Sequence, residues 1–156
     1  MPNRTNGLAP PLDDVSKRIV ELLQEDGRQP FVTIAREVGL SEAAVRQRVQ
    51  KLIDGDVMQI VAVTDPLQLG FSHEAMVAIS VASEAEAVAD ALAEIDEVDF
   101  IVLVAGSVDI MLEVVAADDE EFLALIQRIR DVVAPGTVRV HPYLKTHKQE
   151  YSWGVR

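Results

Sequence analysis

The stretch at residues 34–52, IAREVGLSEAAVRQRVQKL, has the pattern of two short helices separated by a turn. Gly39 supplies the left-handed residue that a tight turn needs. Ser41 is suited to cap the second helix, which the pattern predicts from Glu42 to about Asp54, with Gly55 as its stop. Two helices joined by a short turn that contains glycine form a helix-turn-helix.

A further helix and a strand are predicted on either side of this pair. The segment LDDVSKRIVELLQEDGR opens on two Asp residues that can cap a helix, and its apolar residues have helical spacing. These apolar residues are Val15, Ile19, Leu22 and Leu23. The segment VMQIVAVT at residues 57–64 has the period-two, β-branched pattern of a strand. We therefore expect residues 1–64 to form a winged-type helix-turn-helix domain of three helices plus a strand.

The second helix of the helix-turn-helix has distinct faces when its residues are placed about 100° apart. The inward face consists of Val45, Val49, Leu52 and Ile53. The outward face consists of Ala43, Arg46, Gln47, Gln50 and Lys51, with Ala44 and Arg48 at its edge. Alanines allow close approach and can touch thymine methyl groups, glutamine can pair with adenine, and arginine can bind guanine or phosphate. The outward face is therefore suited to the major groove of double-stranded DNA.

Roles follow from these chemistries. We predict that base edges are contacted by Arg46, Gln47 and Gln50, beside the small Ala43. We predict that phosphates are contacted by Ser41, Arg48, Lys51 and Arg28. Two alternatives remain open: the whole face is an ordinary solvated helix surface, or Arg48 pairs with an acid of the first helix.

The distribution of charge supports a basic DNA-binding surface in an acidic chain. The net charge of the 156 residues is -12. Residues 1–64 hold eight basic and nine acidic residues, whereas residues 65–156 hold six and seventeen. The window at residues 28–51 holds five basic and two acidic residues. The acidity therefore belongs to the second part of the chain, which is expected to stay away from phosphates.

The second part of the chain predicts a ferredoxin-like domain. After a linker at residues 65–74, marked by Asp65-Pro66 and Gly70, the element order is βαββαβ over residues 75–156. Ser83 is expected to cap the first helix of this domain, which turns Val88, Ala91, Leu92 and Ile95 inward. The overall fold class is α+β. Two helices can cover only one face of the sheet, so we expect the other, apolar face to be buried against a second copy of the chain.

Composition excludes several classes of site. The chain has no cysteine, and none of its three histidines has metal-ligand spacing with another. Four acids at residues 118–121 open a helix and are explained by its dipole. The sequence therefore predicts no catalytic site, no metal and no cofactor. No signal peptide or membrane-spanning run is visible, which favours a cytoplasmic protein.

The pattern from Ile34 to Ser41, followed by Val45, Arg48, Leu52 and Gly55, resembles the Lrp/AsnC, or feast/famine, transcriptional regulators. The resemblance extends through VTDPLQLG and VAGSVDIMLEV to the last strand. It implies a DNA-binding domain joined to a ferredoxin-like module that dimerises and assembles further into octamers or similar rings. It also implies an amino acid or related small-molecule effector bound between protomers, and hence a regulator that bends or wraps DNA.

Two positions depart from the family pattern. Ser16 stands where the family usually has a second acid in the first helix. The effector loop commonly contains Gly-x-Tyr-Asp, and this chain has Gly106, Ser107, Val108 and Asp109. These four residues are the effector-binding candidates, in a pocket that the missing tyrosine would reshape. The alternative is a plain hairpin in which Asp109 satisfies local backbone.

Two other functions are compatible with the same architecture. Some haem-pathway decarboxylases resemble it, and His141 and His147 lie six residues apart on an expected strand. The second alternative function is that of an oligomer that only binds a metabolite. The basic helix face argues against the decarboxylase, because an enzyme does not need it.

Overall fold

The computed structural model describes residues 12–150, 154 and 155. The chain forms two compact units. One contains the N-terminal part up to Ala62 together with the C-terminal segment from Lys148, and the other spans Val63–His147.

The helical unit contains α1 (Asp14–Glu25), α2 (Phe31–Val38) and α3 (Glu42–Asp54). The helix ends agree with the sequence pattern. The Asp13 carboxylate caps α1 by accepting from the Ser16 backbone N–H at 2.7 Å, and the Ser41 hydroxyl caps α3 by accepting from the Ala44 N–H at 3.2 Å. Gly39 adopts φ 70° after α2, which an L side chain rarely does. Nine buried residues form one core: Ile19, Val20, Leu22, Leu23, Ile34, Ala35, Val45, Val49 and Leu52.

Residues 57–64 do not form the predicted strand. Among residues 12–150, 154 and 155 of this chain, no strand pairs with the segment, and Ile60, Val61 and Val63 are exposed. A single extended segment cannot make the inter-strand hydrogen bonds that define a strand, so its β-branched pattern alone is insufficient. The helix-turn-helix therefore consists of three helices without the strand.

The second unit contains β1 (His73–Val81), α4 (Ala85–Leu92), β2 (Val98–Leu103), β3 (Ile110–Ala116), α5 (Asp119–Val133) and β4 (Gly136–Pro142). A short 3₁₀ helix, Pro66–Leu69, precedes them in the linker. The four strands form one sheet in the order β2-β3-β1-β4, with antiparallel pairing throughout. This is the predicted βαββαβ arrangement.

One face of the sheet packs against α4 and α5. Alternate residues of β1 and β3 are fully buried there, and they meet Leu92 of α4 and the apolar stripe of α5. The buried strand residues are Ala75, Val77, Ile79, Ile110, Leu112 and Val114. The start of α4 differs from the prediction, because Glu84 rather than Ser83 occupies the cap position, without a side-chain hydrogen bond. Ala89 packs against the core in place of Ala91, which is exposed.

The opposite face of the sheet has both apolar and acidic regions. Phe100 lies opposite Glu113, and Val102 lies opposite Met111. The Tyr143 hydroxyl donates to Glu113 Oε1 at 2.6 Å. Phe100 is 49% exposed. The predicted apolar residues are therefore on this face, but carboxylates share it with them.

The described residues of the C-terminal segment from Lys148 group with the helical unit. Val155 is half-buried against the helical core, in line with this grouping.

Candidate nucleic-acid interface

Helix α3 presents a polar face that is anchored from behind. Val45, Val49 and Leu52 are buried in the helical core, as the 100° spacing predicts. The outward residues Ala43, Arg46, Gln47, Gln50 and Lys51 are all exposed, and Ala44 and Arg48 are half-buried at the edge. The helix is thereby fixed by its apolar side while the polar side remains accessible to a ligand.

Arg46 is held from two directions. Its Nη2 forms an ion pair of 2.9 Å with Oε1 of Glu42, one turn earlier in α3. Its guanidinium carbon lies 5.1 Å from the ring centroid of Phe31, the first residue of α2, within the range of a cation–π contact. Sequence reasoning missed Phe31, because the spacing of α3 alone does not show what α2 places beside it.

The side chain of Arg48 is directed from α3 towards the start of α1 rather than towards solvent. Its Nη1 donates to Asp13 Oδ2 at 2.7 Å and to Ser16 Oγ at 3.0 Å. The hydrogen bond from Arg48, followed by those from Ser16, lowers the pKa of Asp13 to about 2. This is the structural alternative that the sequence left open, with Ser16 accepting from Arg48 at the position where the family usually has an acid.

The remaining candidates differ in whether their side chains already form hydrogen bonds within the protein. Gln50 Nε2 donates to Asp54 Oδ1 at 2.8 Å. Ser41 already accepts the cap hydrogen bond, and Arg28 is exposed in the turn between α1 and α2. Within residues 12–150, the side chains of Gln47 and Lys51 take part in no hydrogen bond or ion pair that fixes them. Gln47 and Lys51 are thus free to adapt to a partner.

The effector candidates lie in the connection between β2 and β3. Asp109 is integrated into the sheet: its Oδ2 accepts from the Val81 N–H and its own N–H donates to the Ile79 carbonyl, both at 2.9 Å. The Ser80 hydroxyl reaches the Ser107 carbonyl at 3.5 Å. Gly106 and Ser107 are exposed and Val108 is half-buried. The backbone role of Asp109, which the sequence held as an alternative, is therefore observed.

Other ionisable groups have partners in the sheet unit. His73 Nε2 lies 2.8 Å from Asp119 Oδ1, and its ring stacks on Phe122 at 4.9 Å between centroids. Asp118 caps α5 by accepting from the Glu121 N–H at 2.8 Å, in agreement with the helix-terminus explanation. In the described part of the chain, no three His, Asp or Glu side chains are arranged to hold a metal ion. No helix in the same residues has the length and apolar character to cross a membrane.

Both units match known families. Residues 12–53 match the AsnC-type helix-turn-helix domain, and residues 74–153 match the Lrp/AsnC ligand binding domain. The HTH-type transcriptional regulator FL11 of Pyrococcus horikoshii is 34% identical over 144 residues, which cover 89% of this chain and 93% of that protein.

Solved structures have the same fold over most of the chain. The leucine response regulatory protein LrpA of Mycobacterium tuberculosis is 31% identical with a TM-score of 0.80, covering 88% of this chain and 96% of that one. A feast or famine regulatory protein from M. tuberculosis, solved in complex with L-methionine, is 31% identical with a TM-score of 0.78, covering 88% and 95%.

Proposed function

We propose that this chain, which belongs to the Lrp/AsnC family of transcriptional regulators, reads double-stranded DNA with the outward face of α3. The observation that carries the assignment is the polar face of α3, exposed over its whole length while Val45, Val49 and Leu52 anchor the other side in the core. An α-helix presented in this way fits the major groove of B-form DNA.

The contacts divide into base readers and phosphate contacts. Arg46 and Gln47 have the chemistry for base edges, and Ala43 leaves room for the groove to approach. Lys51, Arg28 and the Ser41 hydroxyl supply phosphate contacts, which set the affinity and its salt dependence. Arg48 is better explained as a tie between α3 and α1, since its guanidinium is already bound by Asp13 and Ser16. Gln50 remains a candidate for reading a base, but its amide would first have to break its hydrogen bond to Asp54.

The test is selection of duplexes from a random library, followed by titration of the selected duplex at several salt concentrations. We expect a preferred sequence and a strong fall in affinity as salt rises. Lys51→Ala should weaken all duplexes alike and reduce the magnitude of the salt slope by about 1 per protomer. Arg18→Ala, which removes an equal charge from α1, is the matched control. Binding without sequence preference would refute the proposal.

We further propose that the functional unit is at least a dimer formed through the uncovered face of the sheet. The half-exposed Phe100 and its neighbours Val102 and Met111 supply apolar area that two helices of one chain cannot cover. A dimer would place two α3 helices on successive major grooves, about 34 Å apart. Assembly into octamers or similar rings would then bend the bound DNA.

The effector is proposed to be an amino acid or a related metabolite, bound at the loop that contains Gly106, Ser107 and Val108. The support is the match of residues 74–153 to a ligand-binding domain, together with the L-methionine complex of the M. tuberculosis relative. Calorimetric titration with the amino acids tests this directly. Ser107→Trp should abolish the heat of binding, whereas Ser83→Trp in the exposed turn before α4 should retain it.

The cellular location proposed for this regulator is the cytoplasm, where a DNA-binding protein reaches its target. The relatives of this chain are named as transcriptional regulators or activators, which favours DNA-binding regulation over the decarboxylase alternative. Fractionation of cells that express the tagged chain would test the location.

A further inference from the structure

The side chain of Arg46 is held in place by two neighbouring residues. An arginine that contributed only its positive charge to DNA binding would not need such contacts. Glu42 binds one edge of the guanidinium at 2.9 Å, and Phe31 lies under it at 5.1 Å. Phe31 is itself half-buried against the helical core, so its ring is a fixed support. The Arg46 side chain nevertheless remains 64% exposed.

The restraint leaves the guanidinium available for a second partner. Arginine has five N–H donors in a rigid plane, and Glu42 occupies one of them on Nη2. The remaining donors can still form the paired hydrogen bonds to O6 and N7 of guanine that make this the commonest specific contact in the major groove. A planar group whose orientation is already fixed loses less conformational freedom when it binds.

We infer that Glu42 and Phe31 are positioning residues that orient the Arg46 guanidinium for recognition of a guanine. The inference rests on the proposed function and goes beyond it, because it names the base that is read and the two residues that make the reading selective. Neither positioning residue needs to touch the DNA.

The charge of Glu42 gives the inference a distinctive signature. A carboxylate at the first turn of α3 repels phosphates and occupies Arg46, so it opposes non-specific binding. Replacing it with the isosteric glutamine should raise the affinity for random duplexes and lower the preference for the selected one. A purely structural role for Glu42 would weaken both kinds of binding together.

The experiment uses the full-length protein and the duplex obtained by selection, with each guanine in turn replaced by 7-deazaguanine, which lacks the N7 acceptor. For the wild type, one replacement should weaken binding by about tenfold, because the contact to N7 is lost while that to O6 remains. Arg46→Ala should remove that penalty. Glu42→Gln and Phe31→Leu should each reduce it to less than about threefold, and only Glu42→Gln should also raise non-specific affinity.

Glu21→Gln is the matched control, because Glu21 forms a similar exposed ion pair with Arg18 on α1. It should keep the full 7-deazaguanine penalty. Helical circular dichroism of each variant checks that the unit is folded, and Glu42→Gln keeps the test decisive if Phe31→Leu is destabilised.

Three results would overturn the inference in distinguishable ways. A full penalty in both Glu42→Gln and Phe31→Leu would show that Arg46 needs no positioning. A penalty that persists in Arg46→Ala would show that another residue reads the guanine. A loss of preference at a cytosine in Glu42→Gln would show that Glu42 itself reads a base. Sequence-specific DNA binding itself would survive all three results, because that activity is refuted when the wild type selects no sequence.

Discussion

Asp13 of the helical unit and two carboxylates on the uncovered face of the sheet have pKa values that are shifted in opposite directions. In the helical unit, Asp13 accepts hydrogen bonds from Arg48 and Ser16, and its pKa falls to about 2. On the uncovered face of the sheet, burial and then the neighbouring Glu113 raise the pKa values of Glu74 and Asp99. Burial and the hydrogen bond to Glu113 likewise raise the pKa of Tyr143.

The two surfaces therefore differ in whether their carboxylates have a cationic partner among the described residues of the same chain. In the helical unit, Arg18, Arg46 and Arg48 each pair with a carboxylate at 2.7–3.1 Å. The sheet face collects acids beside Phe100 and Val102, and water and a second chain are the partners left for it. The contrast is in line with the proposal that the helical unit binds DNA and the sheet face takes part in assembly, and four measurements can test it.

The largest effect is expected from a cavity in the sheet core. Leu112 is fully buried between the sheet and its helices, and Leu112→Ala should lower the free energy of unfolding of that unit by about 2–5 kcal/mol. The two units have separate cores, so the helical unit should keep most of its stability. Urea unfolding followed by NMR signals of Ile19 and Ile79 would resolve the two transitions. An equal loss at both residues would contradict their independence.

The next effect concerns DNA binding. The double variant Arg46→Ala/Gln47→Ala should weaken binding to the selected duplex by about 100-fold, since each base contact contributes about 1–3 kcal/mol of discrimination. Gel-shift titration measures the affinity, and sedimentation should show unchanged assembly. Normal operator binding by this variant would mean that α3 does not read DNA through these residues.

A smaller effect is expected for assembly. Phe100→Glu places a carboxylate opposite Glu113 on the uncovered sheet face, and it should weaken the dimer about tenfold or more through repulsion and lost apolar contact. Sedimentation equilibrium measures the dissociation constant. Leu123→Glu, an equally polar change at an exposed position of α5, is the control and should leave it unchanged. A dimer unaffected by Phe100→Glu would remove the uncovered face from the interface.

The smallest effect is a pair of opposite pH dependences. Because the pKa of Asp13 is about 2 rather than the usual 3.8, its contribution to stability is complete above pH 3.8 and is lost as pH falls towards 2. The raised pKa values of Glu74 and Asp99 act in the other direction, so their contribution is complete at low pH and is lost as pH rises through those values. Asp13→Asn should remove the loss of unfolding free energy that the helical unit shows as pH falls. Glu74→Gln should reduce the loss that the sheet unit shows as pH rises. Unit-resolved urea unfolding between pH 2 and 6 would reveal both. A pH dependence of the same sign in both units would contradict the comparison.

Features set by local spacing could be predicted from the sequence. The inward phase of Val45, the left-handed Gly39 and the Ser41 cap each depend on residues within one or two turns, and all three are observed. The βαββαβ order and the stripe of α5 likewise follow from periodicity.

Features that depend on a distant partner could not be predicted. The segment at residues 57–64 has the pattern of a strand but pairs with no strand in the described part of the chain. Phe31 meets Arg46 only because α2 and α3 fold together. Asp109 binds the backbone of Val81, 28 residues earlier, so its role depends on the register of the sheet. Sequence spacing could identify the chemistry of these residues but not their neighbours.

The contact between Asp109 and Val81 has a mechanical consequence. It fastens the connection between β2 and β3 to the last residue of β1, while the first residue of β1, His73, directly follows the linker from the helical unit. Nine residues of strand extend roughly 30 Å and are stiffened by hydrogen bonds on both sides. One continuous strand, hydrogen-bonded on both sides, therefore joins the connection that holds Asp109 to the end of the chain's linker at His73.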